Sequence, residues 1–327
     1  MGLRGAANLL PGLGGPLGKI YPEHIAGMLG LPVVGDIYYV DPSGGNDTAN
    51  GGTTPDTDAL KTVQAAFDKC TADRDDVVVI AGRSSTGRTS EDQINWSKRR
   101  THLLGNGAPR RINNRNGISF NSSATSPCFT LSANNCIIAN VSLAQFNDVN
   151  VLLEITSDYN TFMNVHFQGI GNATTGDDTA ARAVLLTAAE ENEFLNCTFG
   201  LDTVARSAAN ALLEQTGSCP RNSYRNCNFL SHVDAAGAFS VILSTGNCTE
   251  RHLIFEKCMF LNSDVGGSAT KMTVHMNTSA TSNGTIILDH SWMEGATDWA
   301  DDFTTLFSAN MPEVPTAATA GIMQVLA

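Results

Sequence analysis

Carboxylates recur in the predicted loops of the second half of the chain, and they are the side chains best placed for chemistry. They lie between short apolar segments, at Asp148, Asp177, Asp178, Asp202, Asp234 and Asp264. Paired carboxylates can cleave a glycosidic bond by acid–base catalysis, or they can hold Ca²⁺ beside an Arg or Lys base. The basic residues in these loops are only Arg182 and Arg206, and the chain has three Trp to stack on sugars. We therefore favour a solvated acidic face, with a glycan or Ca²⁺ groove as the alternative.

Cysteines are the second group of reactive side chains. Cys197, Cys227 and Cys258 share one repeat position, and Cys219 and Cys248 share another. No CxxC pair occurs, so the spacing favours neither a metal site nor a disulfide framework. Because unpaired Cys packs as a small hydrophobe, these thiols are predicted to form buried stacks, with no cofactor or metal bound.

The elements that carry these residues repeat. The pattern is Asn196-Cys197-Thr198-Phe199, then Asn226-Cys227-Asn228-Phe229, then Lys257-Cys258-Met259-Phe260, with Asn164-Val165-His166-Phe167 before them and Asp289-His290-Ser291-Trp292 as a looser match after them. The aromatic positions are separated by 32, 30, 31 and 32 residues. A fixed period of this length is typical of a solenoid.

A second apolar segment recurs within each period. It appears at 151–153, 184–186, 211–213, 241–243 and 273–276. Both segments are short and bounded by Asn, Gly, Ser and Thr, which indicates strands rather than helices. Two or three strands per repeat of about 30 residues predict an all-β fold, a single-stranded parallel β-helix. The recurring Asn residues at 160, 164, 192, 196, 222 and 226 are predicted to turn the chain and to form ladders.

Composition limits the function. The chain has 327 residues, a net charge of −12 and 16% charged residues. Nucleic-acid binding needs clustered Lys and Arg, so it is not expected. No apolar run of 18 or more residues is present, so no membrane span is expected.

The first 36 residues differ from the rest. They contain nine Gly and four Pro among scattered apolar residues, and Gly and Pro interrupt any signal-peptide core, so no signal peptide is expected. We interpret 1–36 as an extended arm that attaches the protein to a partner. Its predicted contact residues are Leu9, Leu10, Leu13, Leu17, Ile20 and Tyr21.

A strand–helix–strand unit follows at 37–82. Asp56 to Asp58 are predicted to begin a helix that ends near Cys70, with Leu60, Val63, Ala66 and Phe67 on its apolar face. A short amphipathic helix here would cover the open end of the solenoid. The β-helix is predicted over 83–307, with weak signals at 101–105 and 118–120, and an extended tail over 308–327.

Three segments of this unit carry a resemblance. Tyr-Tyr-Val-Asp-Pro-x-x-Gly-Asn-Asp at 38–47, Thr-Val-Gln-Ala-Ala-Phe-Asp at 62–68 and Asp-Val-Val-Val-Ile-Ala-Gly at 76–82 resemble the start of pectate-lyase-like right-handed β-helix proteins, especially those of tailed bacteriophages. That group includes polysaccharide lyases, tailspike glycosidases and non-catalytic virion proteins. The resemblance therefore implies a right-handed fold but not an activity.

The favoured function is a non-enzymatic virion protein. It would decorate the capsid surface as a homotrimer, with its arm on the major capsid protein, after synthesis in the host cytoplasm. The alternative is a short tail fibre or tailspike that binds or cleaves a host glycan. A secreted bacterial polysaccharide lyase is the third hypothesis.

Overall fold

The structure is a computed structural model. It describes residues 27, 29–31, 35–55, 57–81, 88–107, 110–112, 116–121, 124–234, 240–245, 251–263, 272–278, 284–301 and 306–309. The arm contact residues predicted at 9–21, the tail after residue 309, Cys248 and Asp264 lie outside the described residues.

The chain winds into an all-β parallel β-helix with three sheets, as the repeat predicts. Sheet A has ten strands, β1 (Ile37–Val40), β2 (Asp76–Ile80), β5 (Thr101–Gly105), β8 (Ile137–Ala139), β11 (Thr161–Met163), β14 (Glu193–Leu195), β17 (Ser223–Arg225), β20 (His252–Glu256), β23 (Thr285–Asp289) and β26 (Leu306–Ala309). Sheet B has eight, β3 (Arg88–Glu91), β6 (Gly117–Phe120), β9 (Ser142–Gln145), β12 (His166–Gln168), β15 (Thr198–Phe199), β18 (Asn228–Ser231), β21 (Met259–Asn262) and β24 (Trp292–Glu294). Sheet C also has eight, β4 (Ile94–Trp96), β7 (Phe129–Leu131), β10 (Val151–Ile155), β13 (Arg182–Thr187), β16 (Ala211–Thr216), β19 (Ser240–Thr245), β22 (Met272–Asn277) and β25 (Ala296–Ala300).

Aromatic rings stacked along the axis form the interior. In sheet B, Phe167, Phe199, Phe229 and Phe260 lie in register, with successive ring centroids 4.9, 4.7 and 4.7 Å apart. A second column in sheet A runs through Phe162, Phe194, Tyr224 and Phe255 at 4.7, 4.8 and 4.8 Å. The predicted 30-residue spacing is thus confirmed as one ring per coil.

The sequence pattern predicts the inward residue of the last repeat wrongly, by one position. Met293, not Trp292, pairs with Phe260 on the inner face, and Trp292 pairs with Met259 on the outer face. The reason is that His290 takes the left-handed backbone conformation (φ 49°) that begins the strand of sheet B, as Lys257 does one coil earlier. The residue three positions later then points inward.

Two asparagine ladders turn the chain, as predicted. Asn164, Asn196 and Asn226 adopt positive φ between sheets A and B, a conformation that Asn tolerates better than most residues. Asn160, Asn192 and Asn222 form the inner ladder, in which Asn192 Oδ1 accepts from the Asn160 amide at 3.0 Å and Asn222 Oδ1 from the Asn192 amide at 2.8 Å.

The predicted thiol stack is also present. Cys197, Cys227 and Cys258 are fully buried at one position of three coils. Each Sγ lies 3.3–3.5 Å from a backbone carbonyl of the preceding coil, at Phe162, Phe194 and Tyr224 respectively. Burial raises the pKa of Cys197 and Cys258, which keeps these thiols protonated.

Helix α1 (Val63–Lys69) stands between β1 and β2, where later coils have strands of sheets B and C. Val63, Ala66 and Phe67 face the core, and Phe67 packs on Trp96 with ring centroids 4.4 Å apart. The Glu91 carboxylate accepts from the Val63 amide at 2.7 Å, at the first turn of the helix.

The helix begins later than predicted. Asp58 is outside it, because its carboxylate accepts from the Gly51 amide at 2.7 Å and the Thr53 amide at 2.9 Å. Leu60 forms a parallel bridge with Val40. The N-cap is Thr62, whose hydroxyl accepts from the Ala65 amide.

Lys98 caps the C-terminus of α1, so we expect Lys98→Met to destabilise the protein. Its ammonium donates to the carbonyls of Phe67, Asp68 and Cys70 at 3.0, 2.8 and 2.8 Å. The variant keeps the apolar stem but loses these bonds, so the free energy of unfolding should fall by about 1–3 kcal/mol in urea titration. Lys69→Met, at an exposed position of the same helix, is the control. Equal stability of the two variants would contradict the capping role.

Candidate functional site

A groove of about 340 Å³ lies on the outer face of sheet B. Its lining is part apolar and part polar and consists of Arg88, Ile112, Phe146, His166, Gln168, Leu201, Asp202, Thr203, Val204 and Leu230. This volume is near the lower end of the range for ligand pockets, about 300–1,000 Å³. Apolar walls with a few convergent polar groups are typical of a binding site for a small ligand.

The side chains of a strand point alternately inward and outward, and the outward ones of sheet B form the floor of the groove. Phe167 points into the aromatic column, so its neighbours His166 and Gln168 point outward. His166 pairs with Ser142 on one side and with Thr198 on the other, and Thr198 pairs with Asn228. Ser142, His166, Thr198 and Asn228 therefore form one outward row, with one residue per coil about 4.8 Å apart.

A hydrogen-bond chain fixes the polar groups of the floor. Arg88 Nη2 donates to Gln168 Oε1 at 3.2 Å. Gln168 Nε2 donates to Ser142 Oγ at 2.7 Å and to His166 Nδ1 at 3.0 Å. His166 Nε2–H then donates to the Gly200 carbonyl at 3.0 Å. Burial lowers the pKa of His166 to about 4, so the ring is neutral at pH 7 and accepts from Gln168.

Phe146 supplies an aromatic surface at the rim of the groove. Its side chain is 45% exposed, and the Arg88 guanidinium carbon lies 5.6 Å from its ring centroid. Gly171 makes room for this arrangement, because a Cβ there would lie 1.9 Å from the Gln145 carbonyl oxygen and 2.9 Å from Phe146 Cδ1. An exposed ring beside a guanidinium is a suitable platform for the apolar face of a sugar.

The opposite wall comes from residues 201–204. They belong to the connection from a strand of sheet B to the next strand of sheet C, which we call the long turn. Each coil has one, and its length differs between coils. The shortest is the single residue Gly295, and the longest is 169–181, which includes helix α2 (Ala173–Gly176). The turn at 200–210 places Asp202 and Thr203 in the groove.

Residues 110–112, here called the strap, lie along the other side. Arg111 Nη1 donates to Asn226 O and Oδ1, both at 3.2 Å, although the two residues are 115 positions apart. Ile112 lines the groove together with Leu230. The strap therefore connects the segment before β6 with the corner before β18.

Two side chains of the outward row are buried without a partner. Thr198 and Asn228 are 0% and 2% exposed, yet Thr198 Oγ1 and Asn228 Oδ1 have no hydrogen-bond partner. A buried polar atom left unpaired costs about 1–3 kcal/mol. Neither residue lines the groove, so both lie beneath the surface of sheet B next to it.

The five predicted acidic residues that the structure describes lie in long turns, but the groove includes only one of them. Asp148 follows β9, Asp177 and Asp178 follow β12, Asp202 follows β15, and Asp234 follows β18. Asp177 accepts from Ser207 Oγ in the next long turn, and Asp178 accepts from the Ala180 amide in its own turn. Among the described residues that line the groove, Asp202 is the sole carboxylate.

The basic companions predicted for these loops are not surface groups. Arg206 is 1% exposed and donates to Asn210, Ser231 and Ser240 at 2.5–2.9 Å. Burial lowers its pKa to about 9. Arg182 is also buried, against Glu214 at 2.5 Å. Both hold the long turns on the β-helix, and neither pairs with one of the predicted acidic residues that the structure describes.

Residues 29–31, near the end of the predicted arm, pack on the chain's own solenoid. Leu29 is buried against Tyr39, Val77, Val79 and Leu104 on the outer face of sheet A, and Leu31 packs beside it. The contacts proposed for residues 9–21, the capsid partner and the trimer stay predictions.

A second groove, of about 440 Å³, lies on sheet A beside Leu31. Its charged groups already pair with one another. Asp75 forms an ion pair with Arg100 and accepts a hydrogen bond from His102 Nε2–H at 3.3 Å. His102 Nδ1 accepts from the Ile137 amide at 3.1 Å. The sheet B groove is therefore the better candidate for a ligand.

Sequence reasoning missed Phe146, Arg88, His166, Gln168 and the strap. Phe146 could have been identified from the sequence, because it is an aromatic residue outside the repeat frame, directly after a strand. In the described part of the chain no three His, Cys, Asp or Glu residues are grouped to hold a metal ion. Over the same residues, the helices are too short or too polar to span a membrane.

Comparisons with known proteins support the fold. No protein-family model and no curated protein matches the sequence. The crystal structure of pectate lyase Pel9A is similar over 89% of this chain and 79% of that chain, with a TM-score of 0.53 and 11% identity. Two pectin methylesterase structures also match. A mutant in complex with a hexasaccharide covers 84% of this chain and 92% of its own (TM-score 0.41, 12% identity), and the Aspergillus niger enzyme covers 81% and 90% (TM-score 0.39, 12% identity). At these identities the likeness to the lyase shows a shared β-helix fold.

Proposed function

We propose that this protein binds a glycan in the sheet B groove. The exposed Phe146 ring, with Arg88 beside it and Gln168 and Asp202 lining the same groove, carries the proposal. A sugar has an apolar ring face for the phenyl group and hydroxyls for the Asp202 carboxylate. The fold is compatible with this ligand, since the similar structure is that of a lyase of pectate.

The groove favours binding over cleavage. Hydrolysis of a glycoside ordinarily uses two carboxyl groups, about 5–9.5 Å apart. Asp202 has no second carboxylate beside it among the described residues of the groove. Arg88, which lines the same groove, already donates to Gln168 and lies at the Phe146 ring.

A role in a tailed-phage virion is compatible with glycan binding. A tail fibre or tailspike recognises a surface glycan, and a protein on the capsid can do so as well. The phage origin and the position in a virion stay predictions from the sequence resemblance.

We expect Phe146→Ala to weaken glycan binding at least tenfold, because the sugar loses its aromatic contact, worth about 1.4 kcal/mol or more. The full chain would be screened on an array of bacterial surface polysaccharides and plant pectins. The dissociation constant of each glycan that binds would then be measured by calorimetry for both proteins.

Tyr159→Ala is the matched control. Tyr159 is 48% exposed, close to the 45% of Phe146, but it lines the groove on sheet A. Equal loss in the two variants, or no binding to any array glycan, would overturn the proposal. New reducing or unsaturated ends that disappear in Asp202→Asn would instead establish cleavage.

A further inference from the structure

We propose that the sheet B groove binds a glycan segment of at least two sugar units, one of which carries a methyl-bearing substituent. This substituent is an O-linked acetyl group or the C6 methyl of a 6-deoxy sugar, and it packs on aliphatic side chains of the groove. The inference rests on the proposed function and adds the chemical class of the ligand. It is carried by four aliphatic residues that line the groove, here called the aliphatic wall: Ile112, Leu201, Val204 and Leu230.

The aliphatic wall extends away from the aromatic platform along the axis of the β-helix. Phe146 follows β9, whereas Leu230 lies in β18, three coils later. At about 4.8 Å per coil, the two positions are separated by roughly 14 Å along the axis. This distance exceeds the width of one pyranose ring. A sugar stacked on Phe146 therefore leaves the far part of the aliphatic wall to another unit of the same glycan.

The groove narrows to backbone between these two parts. Gln168, Gly200 and Leu230 each follow the inward ring of their strand and lie in successive coils. Gly200 has no side chain, so only backbone separates Gln168 from Leu230 along this row. Leu201 comes directly after Gly200 and lines the groove, as does Ile112 of the strap. A group that enters beyond Gln168 therefore meets aliphatic carbon atoms.

The polar groups of the floor are engaged with one another. Arg88 donates to Gln168, which donates in turn to Ser142. His166 accepts from Gln168 and donates to the Gly200 carbonyl. A sugar hydroxyl pressed on the aliphatic wall would lose its hydrogen bonds to water without replacement. A methyl group has no such bonds to lose and gains from the removal of apolar surface from water.

Ile112 is the member of the aliphatic wall that is most open to a ligand. Its side chain is 40% exposed. The neighbouring Arg111 donates to Asn226 O and Oδ1, both at 3.2 Å, and Asn226 precedes Leu230 by one strand corner. These bonds place Ile112 beside the Leu230 end of the groove. Ile112 is thus a specificity-determining residue that can be replaced without opening the core.

The test uses pairs of polymers that differ in the methyl group. Each O-acetylated bacterial polysaccharide of the array would be presented before and after mild alkali, which removes ester-linked acetyl groups. Polymers of 6-deoxyhexoses would be compared with polymers of the parent hexoses. The first pair detects an acetyl methyl and the second a C6 methyl. We expect loss of the methyl group to weaken binding about fourfold or more in calorimetry, the effect of one buried methyl group. Equal binding within both kinds of pair would overturn the inference.

Two variants separate the aliphatic wall from the aromatic platform. Ile112→Thr keeps the β-branched shape but replaces apolar surface by a hydroxyl. The ratio of the dissociation constants of the methyl-free and methyl-bearing polymers should therefore fall to about one. Phe146→Ala should weaken both polymers alike and leave this ratio unchanged, because its ring contacts a different sugar unit. A ratio that Ile112→Thr leaves unchanged would contradict the role of the aliphatic wall.

Ile254→Thr is the control for the substitution. Ile254 is half-buried in β20 of sheet A, away from the groove, so this variant should leave both dissociation constants unchanged. Phe146-dependent binding without any preference for methyl-bearing polymers overturns this inference alone. No binding to any polymer of the array overturns the proposed function as well.

Discussion

Replacing Phe199 by Ala is expected to lower the free energy of unfolding by about 3–5 kcal/mol, the range for a large aromatic residue removed from a well-packed core. Its side chain is fully buried. Its ring lies 4.9 Å from Phe167 and 4.7 Å from Phe229 in the same column, and 5.5 Å from Phe194 in the neighbouring column. Rings on three sides leave little room for the site to collapse, so a cavity remains.

Urea unfolding followed by far-UV circular dichroism measures the effect. Phe146→Ala is the control, because it removes an equal volume from an exposed site and should change stability by less than about 0.5 kcal/mol. In a stack of coils the loss weakens the coupling between neighbours, so the variant should also unfold over a broader range of urea. An unchanged midpoint would contradict the position of Phe199 in the core.

Acid is expected to destabilise the protein through two buried histidines. Burial lowers the pKa of His166 to about 4 and that of His275 to about 3. The unfolded chain takes up a proton at each histidine below about pH 6.5, whereas the folded protein does not until the lowered pKa is reached. Stability is therefore lost as the pH falls through this window. Together the two residues should account for about 5 kcal/mol between pH 7.5 and 4.5.

The slope of stability against pH is the measurement. His275 donates to the Glu294 carbonyl at 3.1 Å, and its ring packs near Phe260 and Trp299. His275→Gln and His166→Gln should each reduce the slope between pH 6 and 4.5 by about 1.4 kcal/mol per pH unit, and the double variant by twice that. Comparing slopes cancels the carboxylates, which titrate in the same range in all four proteins. An unchanged slope in the double variant would show that neither histidine is responsible.

The sequence was sufficient for the fold where each coil obeys one frame. Asn196-Cys197-Thr198-Phe199 and its copies place a left-handed turn, a buried thiol, an outward residue and an inward ring in order, so the period predicted the β-helix and its aromatic column. The frame predicted the wrong inward residue at Trp292. The register of that strand is set by the left-handed turn at His290, not by the position of the aromatic residue.

The groove could be predicted only in part. The described acidic residues lie in loops between strands as predicted, but Arg88 and Phe146 come from early coils in which Thr89 or Leu143 holds the inward position in place of an aromatic ring. Their proximity depends on the register of β3, β6 and β9. The bond between Arg111 and Asn226 depends on how a long connection folds back over several coils, which local residue preferences do not determine.

The long turns differ in length from coil to coil, whereas the ladders and ring columns that stabilise the fold repeat in each coil. Each coil carries its own turn on a scaffold of stacked rings and asparagine ladders, and the turns range in length from the single Gly295 to residues 169–181. Changes in one turn leave the ladders untouched, since those run at other positions of the coil. Recognition can thus diversify one coil at a time, by insertion and deletion, while the scaffold is inherited unchanged.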